Sequence, residues 1–414
     1  MTREFTRRDA IATIGAGGAV ALAGCSGSSN GSNGSNSSGG GNQSGGNSSG
    51  GSNSSGGSSQ QASQPLTADG SSTVYPITSN GASVWNSNPP AGDEDYWMPS
   101  DYGIETDLPM ASYFASAYGL DGGDNQGQPP YLVNVGLSHS GTGIEKLMNG
   151  QVDIGDASAT AKEELPDADK STLDKFVDHV VGVDGQPIMV SQAVYDAGVD
   201  TLTGQELKGI YKGDIQEWSE VEAYSGPEKE IQAICRSEGS GTDTSFRSNL
   251  YGSADAPIDG CDARIGQNQQ VRTTVLNSDN AIAYAALAFV GGQAPAISLE
   301  LDGTTYTPGE NLGERGYPLA RDLHCYTWQD TSQKEAAFLR MLLSPYGQEN
   351  FVEPNDYFPL PDSRIQEELG KLPEPTGDFN LGSAPNSSSS NGSSSSSSST
   401  SSTGTTGMPG TTSG

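Results

Sequence analysis

The chain has 414 residues and a formal net charge of −31, from 20 Lys and Arg against 51 Asp and Glu. This charge excludes a nucleic-acid partner, because neutralising phosphates requires clustered Lys and Arg. A surface this acidic is typical of proteins adapted to high salt, where counter-ions screen the self-repulsion. The composition therefore favours an extreme halophile, of archaeal type, as the source, with an ordinary acidic protein as the alternative.

The first 25 residues have the features of an export signal. Residues 6–9 carry a twin-arginine pattern, and the apolar stretch 10–23 is too short and too weakly apolar to span a bilayer. Residues 22–25, Leu-Ala-Gly-Cys, resemble a lipobox, in which a lipid is attached to the cysteine and the preceding peptide is removed. We therefore expect an exported protein anchored by lipid at Cys25 to the outer face of the cell membrane. A free cysteine after a soluble signal is the alternative.

Two segments of low complexity flank the rest of the chain. Residues 26–64 and 383–414 consist almost entirely of Ser, Gly, Asn and Thr. They lack apolar side chains whose burial could offset the entropy of ordering, so they are predicted to be a disordered tether and a disordered tail. The segment between them is long enough for two domains.

Between residues 66 and 372, short apolar runs alternate with amphipathic stretches, which is the pattern of an α/β fold. Strands are predicted at 131–137, 152–154, 187–190, 231–235 and 281–284. Helices are predicted at 143–149, 204–210, 244–250 and 333–343, the last ended by Ser344 and Pro345. An acidic segment rich in Tyr and Pro, 86–130, is predicted to be a surface insertion with one short helix near 110–118.

The three remaining cysteines match no zinc-binding spacing, and no metal site or cofactor is expected. Cys235 and Cys325 lie in strand-like runs and are predicted to be small core residues. One disulfide among Cys235, Cys261 and Cys325 stays open as an alternative, since an exported protein meets an oxidising environment.

Three loops of small residues lie where a predicted strand leads into a helix, at 69–74, 138–143 and 236–242. Backbone N–H groups at a helix start, together with the helix dipole, favour an anion there. Glycine allows close approach of a ligand, and Ser or Thr adds donors. One such loop is explained by helix capping alone. Three of them, one with the planar cationic fork of Arg236, favour a cage for a tetrahedral oxyanion.

These loops resemble motifs of the substrate-binding proteins of high-affinity phosphate ABC transporters: GSSTVYP at 70–76, SHSGTGIEKLMNGQVDIGDAS at 138–158 and RSEGSGT at 236–242. Further similar segments follow in the same order, at 202–218, 281–290, 316–328 and 338–352. The resemblance implies a two-lobed, periplasmic-binding-protein-like (type II) α/β fold with a ligand cleft and two crossover strands, near 180–190 and 315–326. Lobe 1 would comprise 66–182 and 323–372, and lobe 2 would comprise 183–322.

The resemblance also implies a function and a set of ligand residues. The protein would bind inorganic phosphate as a monomer and deliver it to an ABC permease with ATPase subunits. Glu238 matches the acidic residue that holds the family's arginine in position. The implied phosphate ligands are Ser72, Thr73, Ser140, Arg236, Ser240, Gly241 and Thr242.

One position departs from the family pattern. In many members an aspartate after the second loop accepts the proton of bound phosphate, and Ser158 stands there in this chain. A fixed acceptor rejects sulfate, which carries no hydrogen at neutral pH and leaves the facing lone pair unpaired. Asp156 and Glu238 are further candidates for the acceptor. Phosphate is the expected ligand, and another oxyanion such as sulfate is the alternative.

The sequence gives little support to catalysis, and no catalytic residue is expected. The run 136–142 has the spacing of a phosphate-binding P-loop but lacks its lysine. His139 is adjacent to Ser140, yet neighbours in sequence seldom form a nucleophile and base pair, and no nucleophile-elbow pattern is present. A phosphatase of related fold and a surface adhesin are the other classes considered.

Overall fold

The computed structural model describes residues 64–120, 127–314 and 316–384. The predictions for the export signal with Cys25 and for almost all of the tether and tail lie outside these residues, as do positions 121–126 of the predicted insertion and position 315 of the second crossover. No helix in this part of the chain combines the length and the apolar character needed to span a bilayer.

Strands and helices alternate along much of the described chain. The strands are β1 (Leu66–Gly70), β2 (Val133–Val135), β3 (Ile154–Ala157), β4 (Phe176–Asp184), β5 (Ile188–Val190), β6 (Thr201–Thr203), β7 (Gln232–Arg236), β8 (Ala263–Ile265), β9 (Ala281–Tyr284), β10 (Ala296–Leu301), β11 (Thr304–Tyr306) and β12 (Arg321–Trp328). The helices are α1 (Tyr75–Ser87), α2 (Met110–Ser116), α3 (Ser140–Met148), α4 (Ala161–Glu164), α5 (Lys170–Leu173), α6 (Gln192–Asp196), α7 (Gly204–Lys212), α8 (Gly241–Tyr251), α9 (Asn268–Leu276), α10 (Gln333–Leu343), α11 (Pro345–Gly347) and α12 (Asp362–Leu369). Short 3₁₀ turns lie at Pro99–Tyr102, Trp218–Glu220, Leu287–Phe289 and Glu353–Asn355, and a π turn at Gln348–Val352.

The strands form two sheets, and these define two lobes. The first sheet has the order β2-β1-β3-β12-β4, and the second has the order β11-β10-β5-β9-β7-β8 with β6 beside β10. In the first sheet β1 runs parallel to β2 and β3, and in the second β7 runs parallel to β8 and β9. Parallel strands end at the same edge of a sheet, so the loops that follow β1 and β2 lie at one edge of the first sheet, beside the end of β3. The loop that follows β7 lies at the corresponding edge of the second sheet. The predicted two-lobed α/β fold is confirmed.

The chain passes between the lobes at two neighbouring places. It leaves the first sheet at the end of β4 and enters the second at β5, and it returns at β12. β4 and β12 pair antiparallel, and the pairing begins with Arg321 opposite Asp184. The two connections between the lobes therefore start from neighbouring strand ends of the first sheet, at Asp184 and Arg321, which is where a hinge is expected.

The described part of the predicted insertion, 86–120 and 127–130, is more than a surface segment. The predicted short helix is present as α2, but Trp97 and Phe114 are fully buried. The Trp97 ring packs edge-on against Tyr346 at 5.2 Å between centroids and lies 5.9 Å from Phe114. The description as a surface segment is therefore wrong for its aromatic residues. They follow no helical or strand period, so only contacts with distant elements could show their burial.

The prediction for the cysteines needs one correction. Cys235 is buried, as predicted, but it forms a disulfide with Cys261, 26 residues later. Cys325 is a free, fully buried thiol, so its prediction as a core residue is confirmed. The disulfide joins the end of β7 to the loop before β8, next to the residue that enters the cleft, Arg236.

Replacing Cys235 and Cys261 by Ala is expected to lower the free energy of unfolding by about 3 kcal/mol, because closing a loop of this length restricts the unfolded chain. Urea unfolding with and without dithiothreitol measures the effect. The reductant should shift the midpoint of the native chain and leave that of the double variant unchanged. Equal midpoints for the native chain and the double variant, both measured without dithiothreitol, would contradict a stabilising disulfide.

Candidate anion-binding site

The three small-residue loops meet between the lobes. Thr73 Oγ1 of the first loop lies 3.1 Å from Thr242 Oγ1 of the third. The backbone N–H of Gly141, in the second loop, donates to the carbonyl of Gly239 in the third at 3.2 Å. Arg236 Nη2 donates to Ser72 Oγ at 3.4 Å. Loops that are far apart in sequence and belong to opposite lobes thus converge on one point.

The residues that sequence analysis proposed as ligands are all buried there. The six residues that carry a hydroxyl or a guanidinium are each at most 3% exposed, and Gly241 is buried as well. The proposed residues that the fold brings together are Ser72, Thr73, Ser140, Arg236, Ser240, Gly241 and Thr242. Burial of so many polar groups requires partners, and two of the pairs bond across the cleft, Thr73 with Thr242 and Arg236 with Ser72.

The helices that begin at the site lack side-chain caps. The N-terminal residues that precede α1, α3 and α8 make no side-chain capping hydrogen bond. By contrast, α4, α7 and α10 each begin with a complete capping box, formed by Thr160, Thr203 and Ser332. Simple capping therefore does not explain the Ser and Thr residues of the three loops. N–H groups in the first turn of a helix have no acceptor within the helix, and such groups suit an anion. Two of them already have partners, since Tyr75 donates to the Ser71 carbonyl at 2.9 Å and Gly141 donates to the Gly239 carbonyl at 3.2 Å.

Gly241 allows the second and third loops to approach closely. A Cβ atom at this position would overlap Ser140 Oγ and would lie 2.8 Å from Ser158 Oγ. The closed arrangement of the lobes therefore requires glycine here, for its missing side chain.

Arg236 enters the cleft from the end of β7 and is held by lobe 2. Its Nε donates to the carbonyl of Ile265 at 3.1 Å, and its Nη2 donates to that of Gly266 at 2.5 Å. Its Nη1 donates to Asn268 Oδ1 at 2.6 Å. Burial lowers the pKa of Arg236 to about 10, so the guanidinium keeps its positive charge at neutral pH. These bonds orient a fixed cation toward the hydroxyls of lobe 1.

Sequence analysis missed Asn268, the first residue of α9. Its amide nitrogen donates to Ser72 Oγ at 3.0 Å and to Thr73 Oγ1 at 3.1 Å, while its oxygen accepts from Arg236. Glu238, which was expected to hold Arg236, is exposed instead. Gly239, with a φ of +73°, reverses the loop after it. A neutral amide thus supplies the side-chain acceptor for the guanidinium, and no motif in the sequence marks it.

Arg321 is a second buried arginine at the site that the sequence analysis did not single out. Its Nε and Nη2 both donate to Asp184 Oδ2, at 2.9 and 2.6 Å, and Nη2 also lies 3.3 Å from Thr73 Oγ1. The candidate site is therefore bordered by two guanidinium groups, of which one is paired with a carboxylate.

The candidates for a proton acceptor lie in different surroundings. Ser158 is fully buried within the cleft, where its Oγ accepts from Ser71 Oγ at 3.0 Å and lies 3.4 Å from Ser140 Oγ. Both oxygens of Asp156 accept hydrogen bonds inside lobe 1, from Thr78 Oγ1 at 2.8 Å and from Cys325 Sγ at 3.4 Å. Burial raises the pKa of Asp156 to about 7. Its carboxyl group supports lobe 1 beneath the loops, and the cleft position itself holds a hydroxyl.

Asp156→Asn is expected to stabilise the protein more at pH 8 than at pH 5. The folded chain keeps the Asp156 proton up to about pH 7, whereas an unfolded Asp loses it near 3.8, so stability falls as pH rises through this window. The variant should gain about 2–3 kcal/mol over the native chain between pH 5 and 8, at roughly 1.4 kcal/mol per pKa unit. Urea unfolding of both proteins at the two pH values measures this. A constant difference between them would contradict a buried, titrating carboxyl.

The histidines do not form a nucleophile and base arrangement with the loop serines. His179 Nε2 lies 2.9 Å from Thr331 Oγ1, and His324 Nδ1 lies 2.8 Å from Asp178 Oδ1. Burial lowers the pKa of His139, and nearby Arg236 lowers it further. Among the described residues, no three His, Cys, Asp or Glu side chains are grouped to hold a metal ion.

The fold and the site define a two-lobed binding protein with a polar cleft at its hinge. A family model described as the PBP superfamily domain matches residues 104–345, and the chain belongs to this superfamily. It is 28% identical to the phosphate-binding protein PstS of Bacillus subtilis (strain 168) over 237 residues, which cover 57% of this chain and 74% of that protein. It is 25% identical over 257 residues to the phosphate-binding protein PstS of Staphylococcus saprophyticus, covering 59% and 76% of the two chains.

A solved structure agrees on the fold. A crystal structure from Clostridium perfringens, assigned to the substrate-binding proteins of phosphate ABC transporters and containing bound phosphate, has a TM-score of 0.52 to this chain. It is 19% identical in sequence, and the match covers 72% of this chain and 100% of the other. At this identity the likeness shows the architecture alone.

Proposed function

We propose that this protein is a receptor that binds inorganic phosphate in the cleft and delivers it to an ABC importer. The observation that carries the proposal is the convergence of three uncapped, hydroxyl-rich helix starts on the fixed guanidinium of Arg236. Two relatives, 28% and 25% identical to this chain over 237 and 257 residues, are named phosphate-binding proteins. A tetrahedral oxyanion presents acceptors in several directions, which suits donors that arrive from three loops and both lobes.

The mechanism of binding follows from the contacts across the cleft. Thr73 and Thr242 are hydrogen-bonded to each other, so an entering anion must replace such contacts with its own. The anion would dock on the helix starts of one lobe, and rotation at the crossover strands would bring in the other. The anion can favour closure only by the amount by which it binds the closed state more tightly than the open state. The protein performs no reaction on phosphate in this account.

The net charge of −31 does not prevent anion binding. The cleft contains the positive ends of helix dipoles and a buried arginine, whose effects are strongest over a few ångströms. The field of surface carboxylates is screened over about 10 Å at 0.1 M salt. The screening distance is shorter still in the high salt that the composition indicates.

The cellular setting rests on the sequence. We propose twin-arginine export, a lipid on Cys25 and residence of the monomeric receptor at the outer face of the membrane of a halophile. A tether of the length of 26–64 has a root-mean-square reach of roughly 35 Å, from about 5–6 Å times the square root of its length. That reach would let the folded lobes dock on a permease whose ATPase subunits drive import.

Sulfate is a second candidate ligand because of Ser158. This residue stands in the cleft beside Ser140, where a carboxylate would repel a fully deprotonated anion. A serine hydroxyl can donate to either ion, so we expect weaker rejection of sulfate than a carboxylate would give.

Isothermal titration at high salt tests the function and separates the candidates. Phosphate should bind with one-to-one saturation between pH 5 and 8, and sulfate should compete weakly. Tighter binding of sulfate would make sulfate the ligand. No heat with either anion would contradict an oxyanion receptor, and release of phosphate from a phosphomonoester would indicate a phosphatase.

A further inference from the structure

The Arg321–Asp184 ion pair is buried at the hinge. Arg321 is the first residue of β12, and Asp184 is the last residue of β4, directly opposite it in the paired strands. The two side chains are 4% and 0% exposed. The other carboxylate oxygen, Asp184 Oδ1, accepts from the backbone N–H of Leu287 at 2.9 Å and of Gln186 at 3.3 Å. The carboxylate is thus fully bonded and holds the guanidinium in one orientation.

From this position the guanidinium reaches both lobes. Its Nη1 donates to Ser245 Oγ at 2.8 Å and to the carbonyl of Gly241 at 3.3 Å, both in the first turns of α8 in lobe 2. Its Nη2 donates to Thr73 Oγ1 at 3.3 Å, and its Nη1 lies 3.4 Å from the carbonyl of Ser158, both in lobe 1. Each of these segments also contributes to the candidate anion site.

We propose that Arg321 is a positioning residue that couples closure of the lobes to the shape of the anion site, acting through Thr73 on one side and the start of α8 on the other. This inference rests on the proposed function for its ligand. If the lobes separate, Arg321 must give up its partners in one lobe while its charge stays beside Asp184. Water can replace those partners when the cleft opens, so closure gains only the difference between bonds to water and the pre-oriented, charged hydrogen bonds to both lobes.

Stability alone does not account for the pair. Burying two charges costs desolvation energy, and the attraction between the charges often does no more than offset that cost. Replacing a buried ion pair by apolar residues therefore often leaves the free energy of unfolding unchanged. Arg321 also adds positive charge near Arg236, whose pKa is lowered mainly by burial and further by Arg321. An anion between them relieves that repulsion, so binding and closure would reinforce each other.

The amide of Gly141 reports closure directly. It lies in the first turn of α3, where an N–H has no acceptor within its own helix, and its partner is the Gly239 carbonyl of the other lobe. Its hydrogen exchange is therefore protected only while the lobes are together. Exchange measured on peptides covering 139–143 reads the open population in the full chain, with or without a ligand.

The test compares Arg321→Lys with Arg364→Gln as a matched control. Arg364 forms a two-pronged pair with Asp322, next to Arg321 on β12, at 2.8 and 2.9 Å, but touches neither loop. Arg321→Lys should bind phosphate at least tenfold more weakly, mainly through faster dissociation. It should also speed exchange at Gly141 in the ligand-free protein. The control should change neither quantity.

The outcomes separate the inference from the proposed function. Unchanged phosphate affinity and unchanged Gly141 exchange in Arg321→Lys would overturn the coupling role, as would an equal change in the control. If the native chain itself fails to bind phosphate, the proposed function fails, and the ligand-free exchange still decides the role of Arg321. Should Arg321→Lys not fold, the double variant Arg321→Gln with Asp184→Asn, which leaves no unpaired charge, gives the same two readouts.

Discussion

Arg236→Ala is expected to weaken phosphate binding by at least tenfold. The native guanidinium is 1% exposed, is fixed by three acceptors of lobe 2 and keeps its charge at neutral pH. A hydrogen bond from a charged group contributes about 1.5–3 kcal/mol, and each 1.4 kcal/mol is a factor of ten in affinity. Titration calorimetry at high salt measures the loss of affinity for phosphate. By this reasoning the loss should be at least about tenfold and can exceed a hundredfold.

Two further variants sharpen the test of Arg236. Arg236→Lys keeps a cation but loses the planar fork, so it should recover only part of the affinity. Arg272→Ala removes an arginine of α9 that donates to the carbonyl of Gly291 in the same lobe, and it should bind phosphate normally. An Arg236→Ala protein that titrates like the native chain would refute the role given to this residue.

Gly241→Ala is expected to impair closure and lower the affinity for phosphate by at least tenfold. The added methyl group would overlap Ser140 Oγ of the opposite lobe and press on Ser158 Oγ. Forcing an extra methyl into a packed place costs about 1–3 kcal/mol, and here that cost applies only to the closed state. The same calorimetric titration reads the change, and the unfolding midpoint should move little because each lobe still folds.

Gly377→Ala is the matched control for this substitution. Its added Cβ meets no atom within 4 Å and its backbone needs no positive φ. It should bind phosphate as the native chain does. Equal affinities for both alanine variants would show that the lobes do not need to approach at Gly241.

Elements with strong local signals were predictable from the sequence. Helix α10 was predicted with its observed bounds, because Ser344 and Pro345 end its amphipathic stretch; the structure adds a capping box of Ser332 and Glu335 at its start. β9 was predicted with its observed bounds as an unbroken apolar run. Strand β2 was predicted as 131–137 but spans only Val133–Val135, so it is two residues shorter at each end, and the residues after it lead into the second loop. Elements with a clear local pattern were therefore predicted with the right bounds, whereas β2, which lies beside a loop of the candidate site, was not.

The site was only partly predictable, for reasons of distance along the chain. The hydroxyls and Arg236 belong to short motifs, so their residue types and order already indicated an oxyanion. Asn268 belongs to none of the similar segments, and Arg321 lies in the one at 316–328 but has no ligand role implied there. The two sheets bring both residues to the loops from elsewhere in the sequence. The disulfide of Cys235 and Cys261 depends in the same way on β7 and β8 being neighbours in the sheet.

A crystal structure of the full chain grown with phosphate tests the central claim most directly. We predict phosphate in the cleft, with its oxygens within hydrogen-bonding distance of Ser72, Ser140 and Thr242 hydroxyls and of the Arg236 guanidinium. Phosphate bound outside the cleft, or a cleft in which Thr73 and Thr242 still bond to each other at saturating phosphate, would contradict it.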